Sequence, residues 1–375
     1  MKGIVKLSKI LVGLLFIFSG FVKADDPVGF AIKLQEYFDK DALNLPWLNG
    51  FALSFSIIIP IVEIVLGIMI IIGARKKLTL WLLLLTILFF SFLTFYTAHY
   101  NKVLECGCFG DAIPMTPWAS FGKNMVLLFF IIILILGNKY IMPSFSKMME
   151  NTVVTLFTIG CIGFSLYCYN YLPVIDFRPY KPGTDIKKAM QGVPDVLKYY
   201  YTLKNKKSGA TQEFAQFPPN YQNDWDYVSS RTETIKKGIE PKIKDFSITT
   251  GSGNDVTDSI LSSPGYTFLL ASSSLPDANS NGNVVKAIND LAANCLKNNV
   301  SFICLTSSDD QAIQKYTGQF HPPYSFYITD NTQLQTMIRS NPGLVLIRGG
   351  VIMADWHYHS IPDFNTVNQK YLHHS

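Results

Sequence analysis

Four apolar runs, each about as long as a helix that crosses a bilayer, constrain this chain more than any other feature. A spanning helix needs about 20 predominantly apolar residues, and the runs cover residues 51–72, 78–96, 118–136 and 153–171. They exclude a wholly soluble protein. Residues 1–172 carry 13 Lys/Arg and 9 Asp/Glu, whereas residues 173–375 carry 19 and 18. We therefore expect a membrane half followed by an ordinary globular half.

A fifth apolar run lies at the N-terminus and has two interpretations. Its uninterrupted part, residues 10–22, is short, and it spans only if residues 4–9 join it with Lys6 and Lys9 snorkelling. The alternative is a signal peptide with a basic N-terminal region and a cleavage site at Val22-Lys23-Ala24. Both interpretations place the chain after residue 23 outside the cytoplasm.

The distribution of basic residues predicts the orientation of the helices. Eight basic residues fall in segments assigned to the cytoplasm and four or five in segments assigned outside. The inner set is Lys2, Lys6, Lys9, Arg75, Lys76, Lys77, Lys139 and Lys147; the outer set is Lys23, Lys33, Lys40 and Lys102, with Lys123 near the boundary. We expect a bacterial inner-membrane protein with an extracytoplasmic, periplasmic C-terminal half. Membrane lipid is a partner, and the modest net charge of +5 gives no nucleic-acid patch.

Glu63 is an acid well inside a predicted span. A carboxylate at that depth is costly unless it is protonated or paired. One interpretation is a proton-relay or quinone-site acid, which makes Glu63 a candidate catalytic residue. The other is a neutral carboxyl group bonded to a neighbouring helix.

Cys106 and Cys108, separated by Gly107, lie in the outer loop between the third and fourth spans. An oxidising compartment allows them to form a disulfide, and so small a ring is strained and easily reduced. We treat both as candidate catalytic residues; a structural staple is the alternative. Two sulfurs do not complete a zinc site. Cys161 and Cys168 share one face of the span at residues 153–171 and are expected to be apolar filler.

Three segments resemble the DoxX/MauE membrane proteins over about residues 1–140. They are Phe18-Ser19-Gly20-Phe21-Val22-Lys23, the Pro60…Glu63…Gly67 helix, and Cys106-Gly107-Cys108-Phe109-Gly110-Asp111. The resemblance implies a four-helix bundle that handles thiols or quinones, with quinone as a candidate cofactor. MauE-type proteins are implicated in maturing a disulfide-rich methylamine dehydrogenase, and DoxX-type proteins in quinone-coupled sulfur oxidation. Residues 141–172 then add one further transmembrane helix.

The globular half divides into residues 173–240, a linker with a hairpin, and residues 241–375. The linker begins at the Pro/Gly-rich segment 178–183, and the hairpin joins 196–203 to 211–214. The last part predicts strand 266–271, helix 283–298, strand 300–306, short helix 309–317 and a hairpin of 344–347 with 351–356. This order is similar to the thioredoxin fold. Pro342 would then occupy the cis-proline position, as a candidate binding residue.

The predicted thioredoxin-like domain lacks its dithiol. The turn after the first strand, residues 272–279, reads Ser-Ser-Ser-Leu-Pro-Asp-Ala-Asn, so the usual Cys-x-x-Cys chemistry is excluded there. Cys295 and Cys304 are expected in the core. His357 and His359, alternating along a strand, could bind zinc only with a further ligand such as Asp355 or Asp363, and no metal centre is predicted.

These observations predict a four- to five-helix membrane bundle followed by an extracytoplasmic α/β thioredoxin-like domain. The leading functional hypothesis is a thiol–disulfide or quinone-linked redox or maturation factor. Its partner would be a periplasmic client protein or a thiol-redox protein. The alternative is a non-catalytic, membrane-anchored scaffold or chaperone in which the cysteine pair is a staple. A transporter, the third possibility, draws on Glu63 alone and lacks repeat evidence.

Overall fold

The computed structural model describes residues 1–100 and 107–372, with the backbone alone for residues 107 and 108. Five of the described helices are long and apolar enough to cross a membrane. These five are α1 (Lys2–Asp25), α3 (Ala52–Ile72), α4 (Lys76–Tyr100), α5 (Pro117–Leu136) and α6 (Lys147–Asn170). A shorter helix, α2 (Pro27–Phe38), follows α1. The four predicted spans are confirmed. The N-terminal run forms a continuous helix of 24 residues.

Small residues let α1 and α3 approach each other closely. A Cβ atom on Gly20 would lie 2.6 Å from the carbonyl oxygen of Pro60, and one on Gly67 would lie 2.6 Å from that of Gly13. Larger side chains at these positions would push the helices apart. The close approach brings residues near the C-terminal end of α1 against the middle of α3.

The short helix α2 was not predicted from the sequence. Asp26 caps it, because its carboxylate accepts a hydrogen bond of 2.8 Å from the Gly29 amide. Its apolar face, which includes Phe30, Leu34 and Phe38, is buried in a cluster with residues of α3 and α4. The chain after α1 therefore folds back onto the bundle.

Residues 184–246 form a compact unit of their own. Its elements are α7 (Ile186–Ala189), β1 (Val196–Asn205), β2 (Thr211–Phe214), α8 (Tyr221–Asp224) and β3 (Trp225–Lys236). The three strands pair antiparallel in the order β2-β1-β3. The predicted hairpin is confirmed, and β3 is an additional strand that the sequence did not reveal.

The C-terminal part is built on a mixed five-stranded sheet. Its elements are α9 (Thr257–Leu261), β4 (Tyr266–Ser272), α10 (Gly282–Lys297), β5 (Ser301–Thr306), α11 (Asp310–Phe320), β6 (Ser325–Ile328), α12 (Asn331–Met337), β7 (Gly343–Arg348), β8 (Val351–His357) and α13 (Phe364–Val367). The strand order is β6-β5-β4-β7-β8. Strands β4, β5 and β6 run parallel, and β7 and β8 pair antiparallel. All predicted elements of this part are present, together with the unpredicted α9, β6, α12 and α13.

The membrane helices and the sheet belong to one compact unit, Met1–Gly183 with Ser247–Ser375. The segment assigned to a linker at 178–183 is packed within this unit. Arg178 is 2% exposed, and its guanidinium contacts Asp176 at 2.6 Å and Asp355 of β8 at 2.5 Å. The Tyr180 hydroxyl donates to Gln333 Oε1 of α12 at 2.8 Å. These polar contacts attach the segment that follows α6 to the sheet part.

Candidate functional site

Glu63 forms a buried ion pair with Lys23. The Lys23 Nζ atom lies 2.9 Å from Oε1 and 2.8 Å from Oε2 of Glu63, and donates a third bond of 2.7 Å to Ser19 Oγ. The two side chains are 2% and 3% exposed. All three ammonium protons therefore have acceptors, and the carboxylate has a counter-ion. This partner was absent from both sequence-based interpretations of Glu63.

The assignment of Lys23 to an outer loop was wrong. Helix α1 continues to Asp25, so Lys23 lies in its last turn and is buried against α3. Its charge belongs to the interior of the bundle, which leaves eight basic residues against three or four in the orientation count. The postulated cleavage site at residues 22–24 is also buried, and this burial favours an uncleaved first helix.

Two small cavities lie on either side of Lys23. One, of about 50 Å³, opens toward Asp26, Asp111, Arg178 and Arg339. The other, of about 20 Å³, lies inside the bundle between Glu63, Lys123 and Asn124. A cavity of roughly 150 Å³ is needed for a benzene ring, whereas about 10–15 Å³ holds one water molecule. The described cavity beside Glu63 therefore has room for a water molecule but not for a quinone ring.

The segment that follows the cysteine pair lies over this region. Phe109 is buried and packs edge-on against Phe18 of α1, with ring centroids 5.3 Å apart. Lys123 Nζ lies 4.1 Å from the centre of the Phe109 ring. Gly110 has a φ of +50° and sits beside Val22, a conformation that favours glycine. Residues 109 and 110 each line one of the two cavities.

The candidate cysteines themselves fall at the limit of what the structure describes. Cys106 lies outside the described residues. The backbone of Cys108 belongs to a short 3₁₀-helix, Gly107–Ala112, and its side chain is not described. Their role as the reactive pair therefore stays a prediction.

Arg339 connects this segment to the sheet. Its Nε atom lies 2.8 Å from Asp26 Oδ2 and its Nη2 atom 3.1 Å from Asp111 Oδ2, while Nη1 donates to the Gln335 carbonyl. The Arg339 side chain is 8% exposed. One guanidinium thus contacts both the start of α2 and the residue three positions after Cys108. A planar fork that binds two carboxylates fixes geometry as well as charge.

The thiol-free turn 272–279 of the sheet part is hydrogen-bonded to Asn341, two residues after Arg339. The Asn341 side chain accepts from Ser272 Oγ at 2.8 Å and donates to the Ser274 carbonyl at 2.9 Å. Its carbonyl oxygen accepts from the Asn279 amide at 2.9 Å. The next peptide bond, to Pro342, is cis, as the sequence predicted. The turn 272–279 therefore lies beside the segment that Arg339 begins.

Three of the other cysteines, Cys168, Cys295 and Cys304, are buried where they cannot react readily. Cys295 and Cys304 are fully buried in the core of the sheet part, as predicted. Burial raises the pKa of the Cys295 thiol to about 12 and raises that of Cys304 further. Cys168 is buried on α6, with its sulfur 3.8 Å from an Asp25 carboxylate oxygen. None of these three thiols is poised as a nucleophile.

The histidine pair differs from its prediction. His357 ends β8, but His359 belongs to a following 3₁₀-helix, so the two do not alternate along a strand. His359 Nδ1 lies 2.6 Å from the Asn170 carbonyl oxygen, and Asp355 is engaged with Arg178. Burial and the neighbouring His359 lower the pKa of His357 to about 4. Within the described residues, no three metal-binding side chains cluster.

Comparison with known proteins identifies the first part of the chain. Residues 1–137 match the family described as methylamine utilisation protein MauE. Residues 1–137 are therefore MauE-like. Protein TlpB of Flavobacterium psychrophilum is 34% identical over 131 residues, which make up 34% of this chain and 35% of TlpB. The chain thus spans about a third of the length of this curated relative. No solved structure matches the chain.

The MauE match contains one side of the site and excludes the other. Lys23, Glu63 and Asp111 fall inside it, whereas Arg339 and Asn341 belong to the sheet part. The MauE part of the sequence-based resemblance is therefore confirmed over residues 1–137, almost the extent predicted.

Proposed function

We propose that the protein is an integral membrane redox or maturation factor that exchanges disulfides with periplasmic client proteins through Cys106 and Cys108. The observation that carries the proposal is the placement of the segment 109–111. It is packed on α1 through Phe109, lies beside the Lys23–Glu63 pair and is bound to the sheet through Arg339. A loop that serves merely as a connection does not require anchors from three elements.

The exchange reaction balances without a further cofactor. A client thiolate attacks one sulfur of the Cys106–Cys108 disulfide, that disulfide breaks and a mixed disulfide forms. The second client thiolate then attacks the mixed disulfide and releases the pair. The client loses two electrons and two protons, and the pair gains them as two thiols.

The sheet part would hold the client during this exchange. Its strand order, with β4 central between parallel β5 and antiparallel β7, supports a thioredoxin-like arrangement. The turn 272–279 and Pro342 would then border the groove in which thioredoxin-like proteins seat an extended peptide. In this arrangement the groove comes from the sheet and the thiols come from the membrane half, so a missing Cys-x-x-Cys is no obstacle.

Glu63 is better assigned to support than to quinone chemistry. The described cavity beside it is too small for a quinone ring, and its carboxylate is neutralised by Lys23. The pair lies close to Phe109 and lines the same cavity. We therefore route no step through a quinone and place Glu63 among the residues that hold the cysteine loop.

Trapping of mixed disulfides tests the proposal. Cys106→Ser and Cys108→Ser are expressed separately, and proteins attached to the remaining thiol are identified after acid quenching. One variant is expected to retain a client through a bond that reductant cleaves. Cys295→Ser serves as the matched control, because its buried thiol should not alter trapping. Absence of reductant-sensitive adducts in both variants would contradict the proposal.

A scaffold or chaperone remains the second candidate, and the thiol-free turn at 272–279 favours it. The two are separated by the chemistry of the loop pair. A redox pair should be protected from a membrane-impermeant alkylating reagent until mild reductant is added. A pair that stays protected under strong reductant, or reacts from the start, would support the scaffold.

A further inference from the structure

We infer that Arg339 is a positioning residue for the proposed disulfide exchange: it holds the segment 109–111, which follows the cysteine pair, against the client-holding turn of the sheet part. The inference rests on the proposed function and adds a residue from outside the MauE-like part. It draws on three described contacts of one side chain, to Asp26, Asp111 and the Gln335 carbonyl.

The first step is that the Arg339 side chain is largely buried and is held in place by two carboxylates. The side chain is 8% exposed, and both carboxylates that it binds are partly exposed, at 21% for Asp26 and 29% for Asp111. A guanidinium that is withdrawn from water needs its charge balanced and its donors satisfied. The two carboxylates come from segments 85 residues apart in the chain, so they serve the arginine only when α2 and the cysteine loop are both in place.

The second step is that the residues immediately after Arg339 are hydrogen-bonded to the turn 272–279. Asn341, two residues later, bonds to Ser272, Ser274 and Asn279. Ser340 Oγ accepts a hydrogen bond from the Tyr358 amide at 3.1 Å and donates to the Pro342 carbonyl at 2.6 Å. Ser340 and Asn341, which separate Arg339 from Pro342, are thus both held by hydrogen bonds. A displacement at Asp111 should therefore be transmitted through Arg339 to the turn 272–279.

The third step is that other contacts hold the sheet on the bundle. Arg178 binds Asp355, Tyr180 binds Gln333, and His359 binds the Asn170 carbonyl. Loss of Arg339 should therefore leave the two parts together while it frees the loop segment around Asp111. Exchange reactions depend steeply on alignment, since a misplacement of about 1 Å can reduce a rate about 100-fold.

The test compares Arg339→Gln with Arg339→Lys, Asp111→Asn and Asp26→Asn in the full-length protein. Asp26→Asn keeps the cap of α2, because asparagine caps as well as aspartate. Arg348→Gln is the matched control: this arginine contacts Tyr266 within the sheet part. Three quantities are measured: hydrogen exchange of the peptide that covers Asp111, alkylation of the reduced loop pair by a small reagent, and the yield of the client mixed disulfide.

Arg339→Gln is expected to raise hydrogen exchange around Asp111 and to lower the mixed-disulfide yield at least about tenfold, with small-reagent alkylation within about twofold of the parent. Arg339→Lys, which keeps the charge without the fork, should restore part of the yield. The effects of Arg339→Gln and Asp111→Asn should add incompletely, because both remove the Arg339–Asp111 contact. Arg348→Gln should leave all three quantities unchanged.

Three outcomes would overturn the inference. Unchanged hydrogen exchange in Arg339→Gln would mean that the arginine does not hold the loop. Raised exchange with an unchanged mixed-disulfide yield would mean that it holds the loop but does not position it; the proposed function would survive. Absence of a mixed disulfide in the parent background would refute the proposed function as well, and it is recognised before any Arg339 variant is made.

Discussion

Replacing Glu63 by glutamine should destabilise the protein strongly, because the structure makes this residue the counter-ion of a buried lysine. Glutamine keeps one acceptor oxygen, so one of the two bonds from Lys23, at 2.9 and 2.8 Å, loses its acceptor. The ammonium also loses the only charge that neutralises it among its described contacts. Removing one member of a buried pair costs about 3–5 kcal/mol. We expect a loss of that size in the free energy of unfolding.

The magnitude can be checked against two designed comparisons. In Lys23→Met/Glu63→Leu both charges are removed, and apolar replacement of a buried pair is often neutral or stabilising; this variant should lie within about 1 kcal/mol of the parent. Glu36→Gln removes the carboxylate of the more exposed Lys33–Glu36 pair, whose side chains are 28% and 36% exposed. Such a pair contributes about 0–1 kcal/mol.

Unfolding is followed by titration of the full-length protein from mild detergent into denaturing detergent, with helicity and the alkylation of Cys295 as independent probes. The reasoning is refuted if Glu63→Gln unfolds with the parent, or if the double variant is no more stable than Glu63→Gln. The stable double variant also decides the role of the acid. Retained mixed-disulfide trapping would assign Glu63 to support, whereas loss of trapping in a folded protein would revive the proton relay.

Three further predictions concern the rest of the chain. A reporter that works only outside the cytoplasm, fused after Ser375, should be active, since basic residues are enriched in the segments assigned to the cytoplasm; a cytoplasm-only signal would reverse the topology. Cys295 and Cys304 should resist alkylation in the folded protein and react on unfolding, because both are fully buried; rapid labelling of the native protein would contradict their core placement. His357, with a pKa lowered to about 4 by burial, is neutral in the folded state and charges more readily on unfolding. Protonation of His357 in the unfolded state should therefore lower the free energy of unfolding as pH falls from about 6.5 to about 4, by at most about 3 kcal/mol. His357→Gln should flatten this pH dependence; an unchanged pH profile would refute the assignment.

The elements that the sequence predicted well are those whose pattern is set by burial alone. Spanning runs are recognised from their length, and β4 and β5 are continuous apolar stretches because both faces of a central parallel strand are covered. Strand β3 was missed for the opposite reason. Its residues are exposed along almost the whole strand, so its sequence carries no alternation of apolar and polar residues.

The polar contacts of the site were beyond prediction because they join distant parts of the chain. Lys23 at the end of an apolar run reads as the start of a loop, and its partner Glu63 is 40 residues away. Arg339 is 313 residues from Asp26 and 228 from Asp111. Helix α2 did have a local signal, the Asp26-Pro27 start followed by Phe30, Leu34 and Phe38 at a spacing of four. That spacing could have identified it.

Charge pairing explains how the sheet part acquires one orientation on the membrane half. Apolar contacts are non-directional, and an apolar surface tolerates sliding. Each arginine at the junction instead binds two carboxylates: Arg178 binds Asp176 and Asp355, and Arg339 binds Asp26 and Asp111. A guanidinium that loses either carboxylate leaves N–H donors without an acceptor in a partly buried position, so a displaced arrangement is penalised at both arginines at once. The contacts of Arg178 and Arg339 therefore favour one orientation of the sheet part. A site that is divided between two parts of a chain requires such a fixed orientation.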